Sequence, residues 1–83
     1  MDWSDLRILA AIAHHGSLAG AGRALGLHHV TVGRRLGALE AAIGTKLVDR
    51  LPRRAALTAA GIEIAGVAMR MSALADEIAR RGR

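Results

Sequence analysis

The sequence predicts a mainly α chain: three short helices, a small β-hairpin and one long last helix. Three observations predict it. Apolar residues recur at spacings of three and four in four separate stretches. Gly16, Gly26 and Gly44 stand where the first three stretches stop. Residues 46–58 lack that spacing and instead carry short apolar runs on either side of Leu51-Pro52-Arg53-Arg54, which contains the only proline.

Taken in order, Asp2 is placed to cap the first helix, with Asp5 in its first turn and Leu6, Leu9, Ala10 and Ala13 as its apolar face. Gly16 ends it after His14 and His15, which fit a solvated helix end. Ser17 caps a short second helix over residues 18–25, with Leu18, Ala21 and Leu25 buried. Gly26 stops it, and Leu27 plugs the turn. A third helix over 29–43 buries Val32, Leu36, Leu39 and Ile43 and turns His29, Gly33, Arg34 and Gly37 the other way. Strands over 46–50 and 55–57 form a hairpin with a cationic tip. Thr58 caps a last helix over 59–82, about 36 Å long. Ile64, Ala68, Met71, Ala75 and Ile78 make a heptad-like seam along it, and Ile62, Ala65 and Met69 form a second apolar set a quarter-turn away. One stripe can pack on the body while the other pairs with a partner helix. Two short helices, a third that is basic on one face, and a basic hairpin compose a winged helix-turn-helix.

Composition narrows the function. The chain has 83 residues, 52% of them hydrophobic, which suits one small ordered domain and excludes a disordered tail. One Trp, no Phe and no Tyr leave few faces on which to stack bases, against single-strand readers built on aromatic sheets. Without cysteine there is no disulfide framework, thiolate zinc site or Cys nucleophile. No Ser–His–acid spacing or phosphate loop supports catalysis, and no cofactor is implied. No stretch is long and apolar enough for a bilayer, and Met1-Asp2-Trp3-Ser4 is not a signal peptide, so a cytoplasmic protein that does not engage the membrane is expected. The net charge is +5, and eleven of the twelve cations are Arg. Between Arg23 and Arg54 lie seven cations and two anions, so the whole excess sits on the stretch from the second helix to the hairpin. An anionic partner follows, nucleic acid first. A domain this small also gains from oligomerisation.

The residues themselves carry a resemblance. Gly16-Ser17-Leu18, Ala21, Ala24-Leu25, Val32, Leu36, Ala38-Leu39-Glu40, Gly44, Leu47, Arg50 and Leu57-Thr58-Ala59-Ala60-Gly61 resemble the amino-terminal domain of LysR-type transcriptional regulators, across essentially the whole chain. The resemblance implies a bacterial DNA-binding domain over residues 1–58 and a linker helix over 59–83 that pairs antiparallel in a homodimer. Two recognition helices then read an interrupted palindrome in double-stranded DNA, and RNA polymerase is a further partner of such a regulator. Members usually show Ser-Gln-Pro-Ala-Val-Ser where this chain has His28-His29-Val30-Thr31-Val32-Gly33, and Phe where it has Val48. They also carry an effector-binding domain after the linker helix. No effector pocket fits in these 83 residues, which read as either an excised or a solitary reading head.

The expected DNA contacts are Ser17, His28, His29, Val30, Thr31, Gly33, Arg34, Arg53 and Arg54. The first turns of a recognition helix enter the major groove, where His29 and Thr31 can meet base edges and Arg34 a phosphate or a guanine. His28 fits either a DNA contact or a poor helix cap. Gly33 reads nothing itself but lets the backbone approach the bases. Gly33 and Gly37 each cost about 0.8–1 kcal/mol of helix stability relative to Ala, which is understandable if packing or DNA requires a small residue. Adjacent His side chains on a helix diverge by about 100°, so no metal is expected. Arg53 and Arg54 suit the minor groove or phosphate, Arg50 a brace within the wing, and the amides after Ser17 a phosphate. Ile64, Ala68, Met71, Ala75 and Ile78 are the expected dimer contacts. The alternative is an interaction module that pairs with a full-length relative through the last helix.

Overall fold

The computed structural model describes residues 1–82; Arg83, assigned above to the linker helix, lies outside the described residues. The elements run α1 (Trp3–His15), α2 (Leu18–Leu25), α3 (His29–Ile43), β1 (Val48–Leu51), β2 (Arg54–Leu57) and α4 (Ala59–Arg81). The strands pair antiparallel, with Val48 opposite Leu57 and Leu51 opposite Arg54. This is the winged helix-turn-helix with a long last helix that the sequence predicts.

Local chemistry sets the boundaries. Asp2 and Asp5 form a reciprocal capping box, each carboxylate accepting from the other's backbone N–H at 3.0 and 3.3 Å. Ser17 Oγ accepts from Gly20 N at 2.9 Å, and Thr58 Oγ1 from Gly61 N at 3.0 Å. The first three helices end at Gly16, Gly26 and Gly44, all at positive φ. The first strand starts two residues later than the run 46–50 suggests, because the backbone groups of Leu47 bond Glu40 and Thr58 rather than the opposite strand.

The core forms where α1 is covered on two sides. Ile8, Leu9 and Ile12 of α1, Ala21 of α2, Val32, Leu36 and Leu39 of α3, then Leu47, Val48 and Ala65 make one buried cluster. Fully burying each aliphatic side chain contributes about 1.5–3 kcal/mol. The face expected for α1 (Leu6, Leu9, Ala10, Ala13) is corrected here. Ile8 and Ile12 are buried with Leu9, while Leu6 and Ala13 pack only at the margin. The reason is that α2 and α3 lie on one side of α1 and α4 on another, so its apolar stripe is wider than a single-face reading allows. Val48 is 1% exposed, and the base of the wing is held by Val48 with Leu57 and Ala55 at its edge. Arg35 of α3 reaches Asp5 of α1 at 3.4 Å, a half-buried link between those helices.

Three elements meet at Leu47. Its N–H donates to Glu40 Oε2 at 2.7 Å, and the N–H of Val48 to the same oxygen at 3.2 Å. Its carbonyl accepts from Thr58 N at 3.0 Å, and the carbonyl of Lys46 accepts from Thr58 Oγ1 at 2.7 Å. The first turn of α4 lies directly on this peptide: a Cβ at Gly61 would overlap the carbonyl of Leu47. Glu40 thus ties α3 to the wing, and Thr58 with Gly61 ties the wing to α4.

The faces of α4 are not those expected. Gly61, Ala65 and Ala68 are buried, and Ile64 packs on the core. Ala68, at 0% exposure, and Ile64 therefore belong to the body, which corrects their placement in a dimer seam. Met71, Ala75 and Ile78 are exposed. The apolar row left open is shifted by one position at its start: Val67, Met71, Leu74 and Ile78, at 45, 40, 58 and 71% exposure. Ile62 and Met69 of the second expected set are exposed as well, whereas its third member, Ala65, is buried.

Gly61→Ala is expected to lower the thermal midpoint by roughly 10 °C, since the clash is with backbone that cannot rotate away. Gly66→Ala, on the same helix with only Arg70 Nη1 at 3.9 Å from its Cβ, should raise the midpoint by a few degrees through helix propensity. Thermal unfolding followed by circular dichroism checks both. Equal effects from the two substitutions would contradict the close-approach assignment.

Candidate nucleic-acid interface

The α1–α2 turn, the first half of α3 and the wing surround an open groove of about 450 Å³. Ser17, Leu18 and Ala19 form one wall, His29 and Arg23 another, and Arg50, Leu51, Arg53 and Arg54 the third. The wing is fixed to the opposite wall by the N–H of Ala55, which donates to the carbonyl of Gly16 at 2.8 Å.

Each wall presents donors. The N-terminus of α2 opens on the groove with its first amides, one of them held by Ser17. At the start of α3, His28 is the N-cap: its Nδ1 accepts from Val30 N at 3.2 Å. His28 and His29 stack with ring centroids 4.5 Å apart. Both are exposed, as are Val30 at 63% and Arg34, while Thr31 is half-buried. The cap reading for His28 is therefore realised, on a residue that is itself exposed.

The wing tip is a two-residue turn, Pro52-Arg53. Arg53 has φ 63°, and it is the one non-glycine residue at positive φ among the described residues. Proline followed by a residue at positive φ is the signature of a type II turn, which ordinarily takes Gly at its second position. An L side chain there costs about 1–2 kcal/mol. Arg53 thus places a long cation, with Arg54 beside it, at a position that the backbone alone would fill most easily with Gly.

Gly33 needs a different account from the one its sequence context suggests. It is buried, not open on the outer face of α3. The Arg50 side chain lies over it: Nη2 donates to the carbonyl of Gly33 at 2.7 Å, and Nη1 stands 3.0 Å from where a Cβ would be. The smallness of residue 33 thus makes room for a guanidinium from the wing, so the expected direct approach of the α3 backbone to bases at this point is corrected. Arg50 is the groove residue that sequence reasoning underrated. Its signal was present, because Gly33 and Gly37 lie four apart on one helix face and Arg50 lies two residues from the buried Val48 on one face of its strand.

Charge separates the groove from the rest of the molecule. Among the described residues the ion pairs are Arg35–Asp5, Lys46–Asp49 at 3.9 Å and Arg81–Glu77 at 3.0 Å. Arg23, Arg34, Arg50, Arg53 and Arg54 have no carboxylate partner among them. Among the described residues no group of three or more potential metal ligands occurs and no helix is long and apolar enough to cross a membrane.

Comparison with known proteins agrees with this geometry. Residues 3–62 match the profile of the bacterial regulatory helix-turn-helix proteins of the lysR family. An HTH-type transcriptional regulator of Mycobacterium tuberculosis H37Rv is 51% identical over 71 residues, which is 86% of this chain and 23% of the relative. A probable hydrogen peroxide-inducible genes activator of Mycobacterium avium is 43% identical over 61 residues, 74% of this chain and 20% of the relative. Among solved structures, the DNA-binding domain of CbnR in complex with DNA superposes with TM-score 0.90 at 34% identity, covering 100% of this chain and 95% of that one. Full-length LysG of Corynebacterium glutamicum superposes with TM-score 0.91 at 33% identity, covering 98% of this chain and 28% of that one. The chain thus spans about a quarter of the length of such full regulators. A winged helix-turn-helix with a cation-lined groove and a long last helix, matched by this profile over most of its length, places the chain in the LysR family of bacterial regulatory helix-turn-helix proteins.

Proposed function

We propose that the chain binds double-stranded DNA sequence-specifically as a homodimer and regulates transcription in the bacterial cytoplasm. The observation that carries this reading is the groove itself: five arginines in or beside it lack an acidic partner among the described residues, and two helix N-termini open beside them. Clustered cations repel one another, and a phosphate backbone removes that repulsion with release of counterions. Residues 1–58 act as the reading unit. The start of α3 enters the major groove, with His28, His29, Val30, Thr31 and Arg34 toward base edges or phosphate. Ser17 and the amides after it hold a phosphate, and Arg53 and Arg54 reach the minor groove or its phosphates.

Residues 59–83 act as the pairing helix. The open row Val67, Met71, Leu74 and Ile78 has the four-three-four spacing of a coiled-coil seam. Pairing two copies there sets two reading units at fixed separation, which suits an interrupted palindrome. The same row favours a second reading, in which this chain pairs with a full-length LysR-type relative and modulates it.

Two experiments test the proposal. Affinity for a duplex selected from random sequence should fall at least about tenfold in Arg34→Ala, with relaxed base preference. In Arg53→Ala it should fall with unchanged helix content, and the slope of log affinity against log salt should be shallower by about one. Wild-type affinity in both variants would remove the site assignment. In sedimentation, the chain should be a dimer that Leu74→Asp converts to a folded monomer. A wild-type monomer at high concentration would refute the pairing.

A further inference from the structure

The groove holds one cation whose geometry differs from the others. Arg53 and Arg54 stand at the wing tip, and Arg34 projects from α3. Arg50 starts on β1 and ends on α3. Its Nη2 donates to the carbonyl of Gly33 at 2.7 Å, in a part-buried bond, and the same nitrogen stands 4.0 Å from the Cβ position of Gly37. The carbonyl of Gly33 lies inside a helix, where its lone pairs already serve the helical ladder, so Arg50 supplies a second, charged donor. A Cβ at Gly33 would stand 3.0 Å from Nη1, closer than ordinary contact, so a side chain there pushes the guanidinium aside by at least a few tenths of an ångström.

On this basis, and resting on the DNA-binding reading above, we propose that Arg50 is the positioning residue of the groove. It fixes the wing tip against the recognition helix, so that the contacts of Arg53 depend on Arg50 being seated on Gly33. Two features support this. The wing is a two-stranded ribbon, which is marginal by itself. Its other links to the helices lie elsewhere: Val48 N donates to Glu40 Oε2 at the base of the wing, on the last turns of α3, and Ala55 N donates to Gly16 O on the second strand, toward α1–α2. Arg50 is therefore the hydrogen bond that joins the wing to the first half of the recognition helix, while Glu40 holds its base. Having no carboxylate partner among the described residues, its remaining N–H groups stay available to the groove it lines.

The test is a double-substitution cycle on the full chain, reading affinity for one selected duplex together with the thermal midpoint. Arg50→Ala and Arg53→Ala should each weaken binding about tenfold, as loss of a charge-assisted bond does. If Arg50 seats the wing, Arg53→Ala in the Arg50→Ala background should cost no more than about twofold. Arg50→Lys should keep the salt dependence yet fail to restore the coupling, since an ammonium lacks the planar fork. Gly33→Ala should weaken binding severalfold while leaving the midpoint equal or higher. A double variant about a hundredfold weaker than wild type, with Gly33→Ala neutral, would overturn the proposal and leave Arg50 an independent charge. A wild-type chain that selects no duplex at all would instead overturn the DNA-binding reading on which the proposal rests.

Discussion

The peptide on either side of Leu47 is the constraint on which the rest of the structure depends. Three elements must converge there, and each uses a different chemistry. Glu40 brings a charged acceptor from the end of α3, Thr58 brings a hydroxyl and an N–H from the start of α4, and Gly61 brings the absence of a side chain. Leu47 itself is 0% exposed, so its backbone groups have no access to water, and every bond made there offsets a desolvation of about 1–3 kcal/mol. Because α3 and the wing are both referenced to this point, the spacing between them follows from it. The spacing from either to α4 follows too, and with it the separation of the reading units in any pair formed through α4.

The same reasoning accounts for the distribution of charge. The ion pairs lie away from the groove, on α1–α3, at the base of the wing and near the end of α4, where they serve the fold weakly. Of the groove cations, Arg50 alone donates a side-chain hydrogen bond to the fold among the described residues, to the carbonyl of Gly33, and clustered cations repel one another. Arg53 adds a backbone penalty at the wing tip.

Much of this was legible in the sequence, for definite reasons. Glycines at helix ends and Ser, Thr and Asp at helix starts act through local backbone chemistry, so the element boundaries were readable to within a residue or two. What depended on tertiary neighbours was not. The buried face of α1 was misplaced because a helix covered on two sides has no single stripe. The seam on α4 was displaced because Ile64 and Ala68 are taken by the body, which leaves Val67, Met71, Leu74 and Ile78 outside. Gly33 was read as an opening toward DNA because the residue that fills it, Arg50, is seventeen positions away. The cationic groove itself was readable, since charge clustered between Arg23 and Arg54 survives any modest error in packing.

The central claim is that the chain engages DNA through the groove between the α1–α2 turn, the start of α3 and the wing. Titrating the isotope-labelled chain with a selected duplex, and following amide and guanidinium resonances, tests it most directly. The account requires the perturbations to concentrate on Ser17–Ala19, His28–Arg34 and Leu51–Arg54, with the row from Val67 to Ile78 unchanged between free and bound dimer. Perturbations confined to α4, with the groove resonances unmoved at saturating DNA, would contradict it.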